Sequence, residues 1–284
     1  MNPLGHHPVW SFLSTKPRIQ VVDNTRVRAD SGVLVRHYAE LAERVADLCS
    51  RNPNFVLFYR GQSRDHRNQR GNTSIKPGLF RPHPQSGRNP GSQELATRYQ
   101  RLEAAERGLL GAYLHHGLFG RDRMQRYQVL RWAILQHYEV CPTPLLDVTH
   151  SLRVAASFAS HASTSTAYVY VLAVPNLAGV ITASSEEGLQ ILRLSSICPS
   201  IALRPHFQEG YLLGEYPELR SLDQKALVYA HEIDFGLRLL AKFRFRPRTF
   251  WQDPSFPMIP KEALYPDDRD GFFPIAAQIR KSLD

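Results

Sequence analysis

The run Phe55-Val56-Leu57-Phe58-Tyr59 constrains the fold of this chain more than any other segment. It consists of strand-forming residues and carries apolar side chains on both faces. A strand of this kind is typical of a sheet that is covered on both sides, so it predicts a central strand. Because helical patterns precede and follow it, we expect an α/β or α+β fold, in which helices pack against a mixed β-sheet.

Four stretches with apolar residues three and four positions apart predict helices around this strand. Each begins after a residue that can cap a helix, or ends before a residue that breaks one. The predicted helices begin at Ser31 with Asp30 or Ser31 as N-cap, cover about Ser92–His115 and about Arg123–Tyr138, and begin again at Thr149 or Ser151. The last of these contains several alanines, which should let it lie close to its neighbours.

Several shorter runs of strand-forming residues predict the rest of the sheet. They are Ile19–Val22, Leu145–Val148, Ala167–Val174, Ile191–Leu194 and Ala226–Tyr229. The segment Lys242–Arg246 alternates cations and aromatic residues until Pro247 ends it, which predicts an exposed edge strand. A nucleic-acid platform is the other interpretation of that alternation.

Changes in composition divide the chain into three parts: an irregular N-terminal lead at 1–30, an α/β domain at 31–240, and a Pro-rich basic extension at 241–284 that packs on the domain. A chain of 284 residues can bury enough surface to fold without disulfides or a structural metal. Its three cysteines are far apart and predict neither a disulfide framework nor a metal site. Without a signal-peptide pattern or an apolar run of about 18 residues, we expect a cytoplasmic protein with no membrane contact.

The charge of the chain is compatible with an anionic partner. Its net charge is +9, and 29 of its 35 cationic residues are arginine, the residue suited to two-pronged contacts with phosphate or carboxylate. An excess of arginine also follows from a GC-rich genome. Residues 62–91 predict one long ordered loop, on which Arg64, Arg67, Arg70 and Arg81 form a solvated face or, alternatively, hold phosphates.

Three segments place polar residues at the ends of predicted strands, where binding sites of open sheets are built. Arg60 follows the central strand, and Asp147 follows a pair of leucines. A charged group at the edge of a core requires a partner, so Arg60 and Asp147 form either part of a site or a buried ion pair. The third segment holds Arg204, Gln208 and Glu209.

Taken together, these segments resemble the FRG domain family over about residues 55–213. The resemblance rests on Tyr59-Arg60-Gly61-Gln62, the Gln136-His137 pair, the Pro-Thr stretch leading to Leu145-Leu146-Asp147 and Thr149, the Ala155–Ala159 helix, and the spacing of Arg204, Gln208 and Gly210. The chain departs from the family pattern at Tyr59 in place of Phe, at Glu139 where Gly is expected, at Val148 in place of an aromatic residue, and by one extra residue around Cys141.

The order of these motifs is also similar to that of ADP-ribosyltransferases. That similarity implies an NAD-dependent enzyme that modifies a protein or nucleic-acid acceptor, as a toxin or defence effector. The residues it implies are Arg60 on a phosphate or ribose, Thr149 or Ser151 on the nicotinamide ribose, and Glu209 or Gln208 on the positive charge that develops as nicotinamide leaves. Further cofactor contacts are expected from Gln62, His137, Asp147 and Arg204.

Other interpretations of the same residues stay open. His137 ends a predicted helix and also fits a capping or core histidine, and Gln208 and Glu209 also fit a surface loop. The second functional hypothesis is a noncatalytic module whose Arg60 holds the phosphate of a nucleotide or nucleic acid. A third is an enzyme with a substrate other than NAD in the same cleft.

Overall fold

The chain alternates strands and helices around the central strand that the sequence predicts. The computed structural model describes residues 4, 8–83, 86–163, 165–176, 179, 181–228 and 233–284. The described strands are β1 (Val9–Leu13), β2 (Lys16–Val22), β3 (Val33–Leu34), β4 (Phe55–Gln62), β5 (Leu146–Thr149), β6 (Ala167–Pro175), β7 (Ile181–Ser184), β8 (Leu189–Arg193), β9 (Gly210–Glu215) and β10 (Leu239–Phe245). The described helices are α1 (Asn24–Ala29), α2 (Tyr38–Arg51), α3 (Ser92–His115), α4 (Arg121–Arg126), α5 (Gln128–His137), α6 (Leu152–His161), α7 (Leu194–Ile197), α8 (Arg204–Phe207), α9 (Leu222–Ala226), α10 (Pro247–Phe250), α11 (Lys261–Leu264) and α12 (Phe273–Lys281).

Strands β3 to β10 form one mixed sheet, and β1 and β2 form a separate hairpin. Within the described residues the order of the mixed sheet is β3-β10-β6-β4-β5-β9-β8-β7. Its neighbours are antiparallel except β10 and β3, which are parallel. The fold is therefore α+β, and β4 lies in the interior of the sheet, as the apolar run at 55–59 predicts.

Alternate residues of β4 face two different cores, as expected of a strand that is covered on both sides. Leu57 and Tyr59 belong to a core that includes residues of α2 and α6. Phe58 belongs to the opposite core, which includes Val22 of the N-terminal hairpin and Val27 of α1. Helices α2 and α6, together with Val9 and Phe12 of β1, thus bury one side of β4, and residues of β2 and α1 help to bury the other.

A third core lies where α3, α5 and α12 pack together. Trp132 of α5 and Leu109 of α3 are fully buried there, and Ile279 of α12 packs against them. The C-terminal helix is therefore part of the folded body. β10 spans residues 239–245 and crosses the predicted domain boundary at 240/241, and β1, β2 and α1 occupy much of the predicted lead at 1–30.

Helix α2, which corresponds to the first predicted helix, begins later in the chain than predicted. Val33 and Leu34 form β3, and α2 begins at Tyr38 with His37 as its N-cap, whose ring accepts from the N–H of Glu40. Gly32 explains the difference, because its φ of 89° interrupts any helix that starts at Ser31. Asp30 accepts from the N–H of Gly32 and does not cap α2.

The second predicted helix forms as α3 with the expected bounds, but the third is wrong in one respect. It is divided into α4 and α5 at Tyr127, whose φ of −115° and ψ of 102° are extended. The predicted strand at 226–229 is also wrong, because Ala226 ends helix α9, which Ser221 caps. Tyr229 lies outside the described residues.

The prediction of an exposed edge strand at 242–246 is wrong. β10 pairs with β6 on one side and with the short β3 on the other. Phe243 and Phe245 are fully buried, and Lys242 is 2% exposed because its Nζ donates to Asp65 Oδ2 at 2.8 Å. The cations of this segment therefore do not form an open nucleic-acid platform.

The remaining predicted strands form with small shifts in their bounds. The shortest ones are extended or moved by a few residues, because pairing with a neighbouring strand sets their ends. Ile19–Val22 lies within β2, Leu145–Val148 corresponds to β5, Ala167–Val174 to β6, and Ile191–Leu194 to β8, with Leu194 beginning α7. None of the helices in the described ranges is long and apolar enough to cross a membrane.

Candidate functional site

A cavity of about 200 Å³ opens where the ends of three neighbouring strands meet two helices. β4, β5 and β9 lie side by side in the sheet, and the end of α5, the face of α6 and the segment after α11 close the remaining walls. Of the nine residues predicted to be catalytic or cofactor-binding, five line this one cavity: Arg60, His137, Asp147, Thr149 and Gln208. The fold thus brings Arg60 together with Asp147 and Gln208, which follow it by about 90 and 150 positions in the sequence.

Arg60 is the cationic group of the cavity wall. Its side chain is half-buried, and Nη1 donates to the backbone carbonyl of Asp147. Nε has no access to solvent and, in the part of the chain that the structure describes, no hydrogen-bond partner. A buried donor without a partner is costly, so an acceptor that reached this atom would remove that cost.

The charges around Arg60 come from Asp147 and Arg81. Burial, with a smaller contribution from the nearby positive charge of Arg81, lowers the pKa of Arg60 to about 10. Burial raises the pKa of Asp147, while Arg60 and the hydrogen bond from Gln136 act in the opposite direction. Arg60 therefore stays cationic at neutral pH. Its hydrogen bond to Asp147 is to the backbone carbonyl, whereas the ion pair considered from the sequence would involve the carboxylate.

Gln136 explains the spacing of the motif that runs from Gln136 to Asp147. Its Nε2 donates to Asp147 Oδ2 at 2.7 Å, and its Oε1 accepts from Thr143 Oγ1 at 2.8 Å. Thr143 Oγ1 in turn accepts from the N–H of Leu145. One glutamine therefore holds the turn before β5 and fixes the carboxylate of Asp147 at the cavity.

Thr149 joins the end of β5 to the third segment of the site. Its hydroxyl donates to the carbonyl of Gln208 at 2.9 Å and accepts from the N–H of Ser151 at 3.0 Å. Thr149 is 5% exposed, and these two bonds use the hydroxyl's single donor and one of its acceptor positions. Thr149 thus lies in the cavity wall, its contacts are structural, and its predicted role on the nicotinamide ribose stays a prediction.

Gly61 lets α6 lie directly on β4. A Cβ at Gly61 would lie 1.9 Å from the carbonyl oxygen of Ala155 and 2.9 Å from the nitrogen of Ala159. Both are backbone atoms, which cannot move away cheaply. The glycine that follows Arg60 is therefore required by packing, and the close approach it permits brings Ala155 and Phe158 into the cavity wall.

His137 is a neutral, buried imidazole at the end of α5. It is 5% exposed, and its Nε2 has no partner among the described residues. Burial, with a smaller contribution from the charge of Arg204, lowers the pKa of His137 to about 3. Arg204 Nη1 donates to the His137 carbonyl. At physiological pH the ring is a neutral hydrogen-bonding group in the cavity wall.

The low pKa of His137 predicts an acid-sensitive fold. In the unfolded chain this histidine titrates near 6.5, and in the folded chain near 3. Between these values the unfolded state binds the extra proton, so the stabilising effect is complete above about pH 6.5 and is lost as the pH falls toward 3. We expect His137→Phe to reduce the loss of unfolding free energy in this window by up to about 1.4 kcal/mol per pH unit.

Urea unfolding of the two proteins at several pH values between 7 and 4 measures this difference. His116 is exposed, and His116→Phe is the control that should keep the wild-type dependence on pH. Equal acid sensitivity of wild type and His137→Phe would show that His137 does not stay neutral in the folded chain.

Gln208 and Glu209, which the sequence could not separate, lie in different environments. Gln208 lines the cavity, and its Nε2 donates to the carbonyl of Leu264 at 2.8 Å. Glu209 is exposed, has a left-handed backbone with a φ of 45°, and is not among the residues that line the cavity. The third segment therefore contributes a carboxamide to the wall.

Gln62, Ser151 and Arg204 also lie outside the cavity wall. The side chain of Ser151 caps α6 by accepting from the N–H of Val154. Arg204 lies behind His137, where it pairs with Asp267 at 2.9 Å and faces aromatic rings such as that of Tyr265. Their predicted roles in cofactor binding remain predictions.

Three aromatic residues and Glu139 of the wall are not among the residues predicted to be catalytic or cofactor-binding. Phe158, Tyr211 and Tyr265 line the cavity with rings, and the ring of Phe158 meets that of Tyr265 edge-on at 5.7 Å. Glu139 is exposed and lines the opening with a φ of 54°. A left-handed backbone favours glycine, which explains why glycine is expected at position 139. The glutamate found there instead is the feature of the sequence that marks Glu139 as unusual.

Comparison with known proteins identifies the family of this region. Residues 56–167 match the model of the FRG domain, which confirms the resemblance carried by Arg60-Gly61, Gln136-His137 and Asp147. The matched range includes β4, the 62–91 loop, α3 to α6 and most of the cavity wall. Neither a curated protein nor a solved structure matched the chain.

Proposed function

We propose that this protein, which carries an FRG domain, is an ADP-ribosyltransferase-like enzyme that binds NAD in the cavity and modifies a macromolecule. The observation that carries the proposal is the guanidinium of Arg60 in a cavity with aromatic walls, since its buried Nε has no partner among the residues that the structure describes. A ligand that has both an aromatic ring and a phosphate satisfies both features.

The wall residues fit the parts of such a nucleotide. Arg60 would hold a phosphate through its planar fork, and the rings of Phe158, Tyr211 and Tyr265 would enclose a planar ring and exclude water. His137 would donate to or accept from a polar group of the ligand through Nε2, which has no partner within the described part of the chain. The cavity of about 200 Å³ is smaller than ordinary pockets for drug-sized ligands, so it would take one end of the dinucleotide.

NAD would supply ADP-ribose as the transferred group, with release of nicotinamide and of one proton from the acceptor. Two carboxylates line the cavity, Asp147 and Glu139. Asp147 is held by Gln136 and supports Arg60. Glu139 is exposed at the opening, where an acceptor has to approach, so it is the carboxylate that would take the acceptor's proton.

A noncatalytic nucleotide-binding or phosphate-binding module is the second candidate. The position of Glu209 favours it, because the carboxylate that the motif order selects for catalysis is exposed and outside the wall. The hydroxyl of Thr149 also makes two structural hydrogen bonds. In this alternative the same Arg60 binds phosphate and no bond is broken.

Release of nicotinamide from NAD in the presence of a cell lysate tests the enzyme proposal. Arg60→Lys keeps the charge and loses the planar fork, so we expect it to lower kcat/KM by about 100-fold or more. Arg107 is exposed on α3, and Arg107→Lys is the matched control that should behave like wild type. Thermal unfolding of all three proteins verifies that they are folded.

Two results would count against this function. A folded wild-type protein that binds NAD but releases no nicotinamide would support the noncatalytic module. Equal turnover by wild type and Arg60→Lys would remove Arg60 from the binding site.

A further inference from the structure

The loop at residues 62–91, here named the cationic loop, has an unusual balance of charge. Six lysines and arginines occur in it, and its single acidic residue is Asp65. Arg64, Arg70 and Arg88 are exposed. Six cations against one anion are more than a loop needs for solubility, and such an excess is typical of a surface that meets a polyanion.

Asp65 does not offset this charge at the surface. Its carboxylate side chain is 7% exposed and pairs with Lys242 Nζ at 2.8 Å and with Arg67 at 2.8 Å. The hydroxyls of Thr73 and Tyr170 donate to its other oxygen at 2.7 and 3.0 Å. The one negative charge of the loop is thus used to fix the loop to the sheet.

Further contacts hold the part of the cationic loop between Thr73 and Phe80 against the rest of the fold. Arg28 Nε donates to the carbonyl of Thr73 at 3.0 Å, and the N–H of Ile75 donates to Asp234 at 2.7 Å. Leu79 and Phe80 are buried in a core with residues of α3. Arg64 and Arg70 therefore lie next to or between anchored residues, which lowers the entropy lost when they bind a partner.

The loop also lies beside the candidate site. It begins directly after β4, which carries Arg60, and the charge of Arg81 acts on both Arg60 and Asp147. Arg81 is exposed. Arg81 therefore places one exposed cation of the loop near the charged groups of the cavity wall.

We propose that the cationic loop is a docking surface for the phosphate backbone of a nucleic acid. Guanidinium groups bind phosphates through two parallel hydrogen bonds, and a repeating backbone can engage Arg64, Arg70 and Arg88 at once. Binding releases counterions from the nucleic acid, so its affinity falls as salt rises. This surface goes beyond the proposed enzyme function and does not depend on whether NAD is bound or cleaved.

The test compares two variants that remove the same charge. In the first, Arg64, Arg70 and Arg88 are all changed to Gln; in the second, Arg121, Arg123 and Arg126 of the exposed helix α4 are changed in the same way. Binding of a single-stranded RNA of about 20 nucleotides is measured by fluorescence anisotropy at several salt concentrations. Thermal unfolding verifies that both variants are folded.

The loop variant is expected to bind at least tenfold more weakly at about 100 mM salt and to show a smaller slope of log affinity against log salt, by up to about 2. The α4 variant should stay within about twofold of wild type. The proposal is overturned if wild type does not bind the RNA, or if both variants weaken binding equally. Tighter binding of wild type to an acidic polypeptide such as polyglutamate would also overturn it in favour of a protein partner.

Discussion

Replacing Gly61 by alanine is expected to prevent stable folding. The added Cβ would lie 1.9 Å from the carbonyl oxygen of Ala155, so either α6 or β4 would have to move. β4 is paired residue by residue with β6, where Gly61 lies opposite Val169, and α6 is buried against it. We expect the free energy of unfolding to fall by more than about 4 kcal/mol. Soluble yield and urea unfolding measure the effect.

Gly111 provides the matched control for this substitution. It is an exposed residue within α3, away from both helix ends, and a Cβ there would meet nothing within 4 Å. Gly111→Ala should raise stability by about 0.5–1 kcal/mol, because alanine has the higher helix propensity. A Gly61→Ala protein within about 1 kcal/mol of wild type would show that α6 does not approach β4 so closely.

Asp270→Ala is the second substitution with a large expected effect. Asp270 is 2% exposed and accepts from the hydroxyl of Tyr138 at 2.8 Å and from the N–H groups of Leu203, Arg204 and Phe272 at 2.9, 2.8 and 2.9 Å. Removing the carboxylate would leave four buried donors without their acceptor. We expect the free energy of unfolding to fall by about 4 kcal/mol or more, measured by urea unfolding.

Asp268→Ala is the control, since Asp268 is exposed and two residues away. It should change the free energy of unfolding by less than about 0.5 kcal/mol. Similar effects of the two substitutions would mean that Asp270 does not join the C-terminal segment to the end of α5. The comparison also matters for the site, because Arg204 connects Asp270 to the carbonyl of His137.

Much of the fold follows from local sequence patterns. The periodicity of 92–115 gives α3 with its bounds, and the apolar run at 55–59 gives an interior strand. These segments are long or strongly patterned, so local propensity and tertiary packing agree. Ser151 is also found as the cap of α6 that the sequence offered.

The errors occur where tertiary contacts override local pattern. Lys242 in an alternating segment indicates an exposed edge, but Asp65, more than 170 positions earlier, supplies the ion pair that allows its burial. Val33 and Leu34, which were predicted to lie in the first turn of a helix, instead form β3 because they pair with Phe243 and Arg244 of β10. No local pattern contains such long-range partners.

The sequence could predict those residues of the candidate site that lie at the ends of strands. Arg60, Asp147 and Thr149 lie in one wall because β4 and β5 are neighbours. Tyr265 could not be found this way, since it comes from the segment after α11 and reaches the cavity only through the packing of the C-terminal region. The choice between Gln208 and Glu209 depended on the left-handed turn at Glu209, which the sequence did not reveal.

Calorimetric titration of NAD into wild type, Arg60→Lys and Arg107→Lys is the most direct test of the proposed site. It measures whether the cavity binds the nucleotide and whether the guanidinium of Arg60 is responsible, independently of any turnover. The predicted result is saturable binding by wild type and Arg107→Lys, with binding by Arg60→Lys weaker by at least about tenfold. Absence of binding by wild type, or equal affinity of Arg60→Lys, would contradict the account.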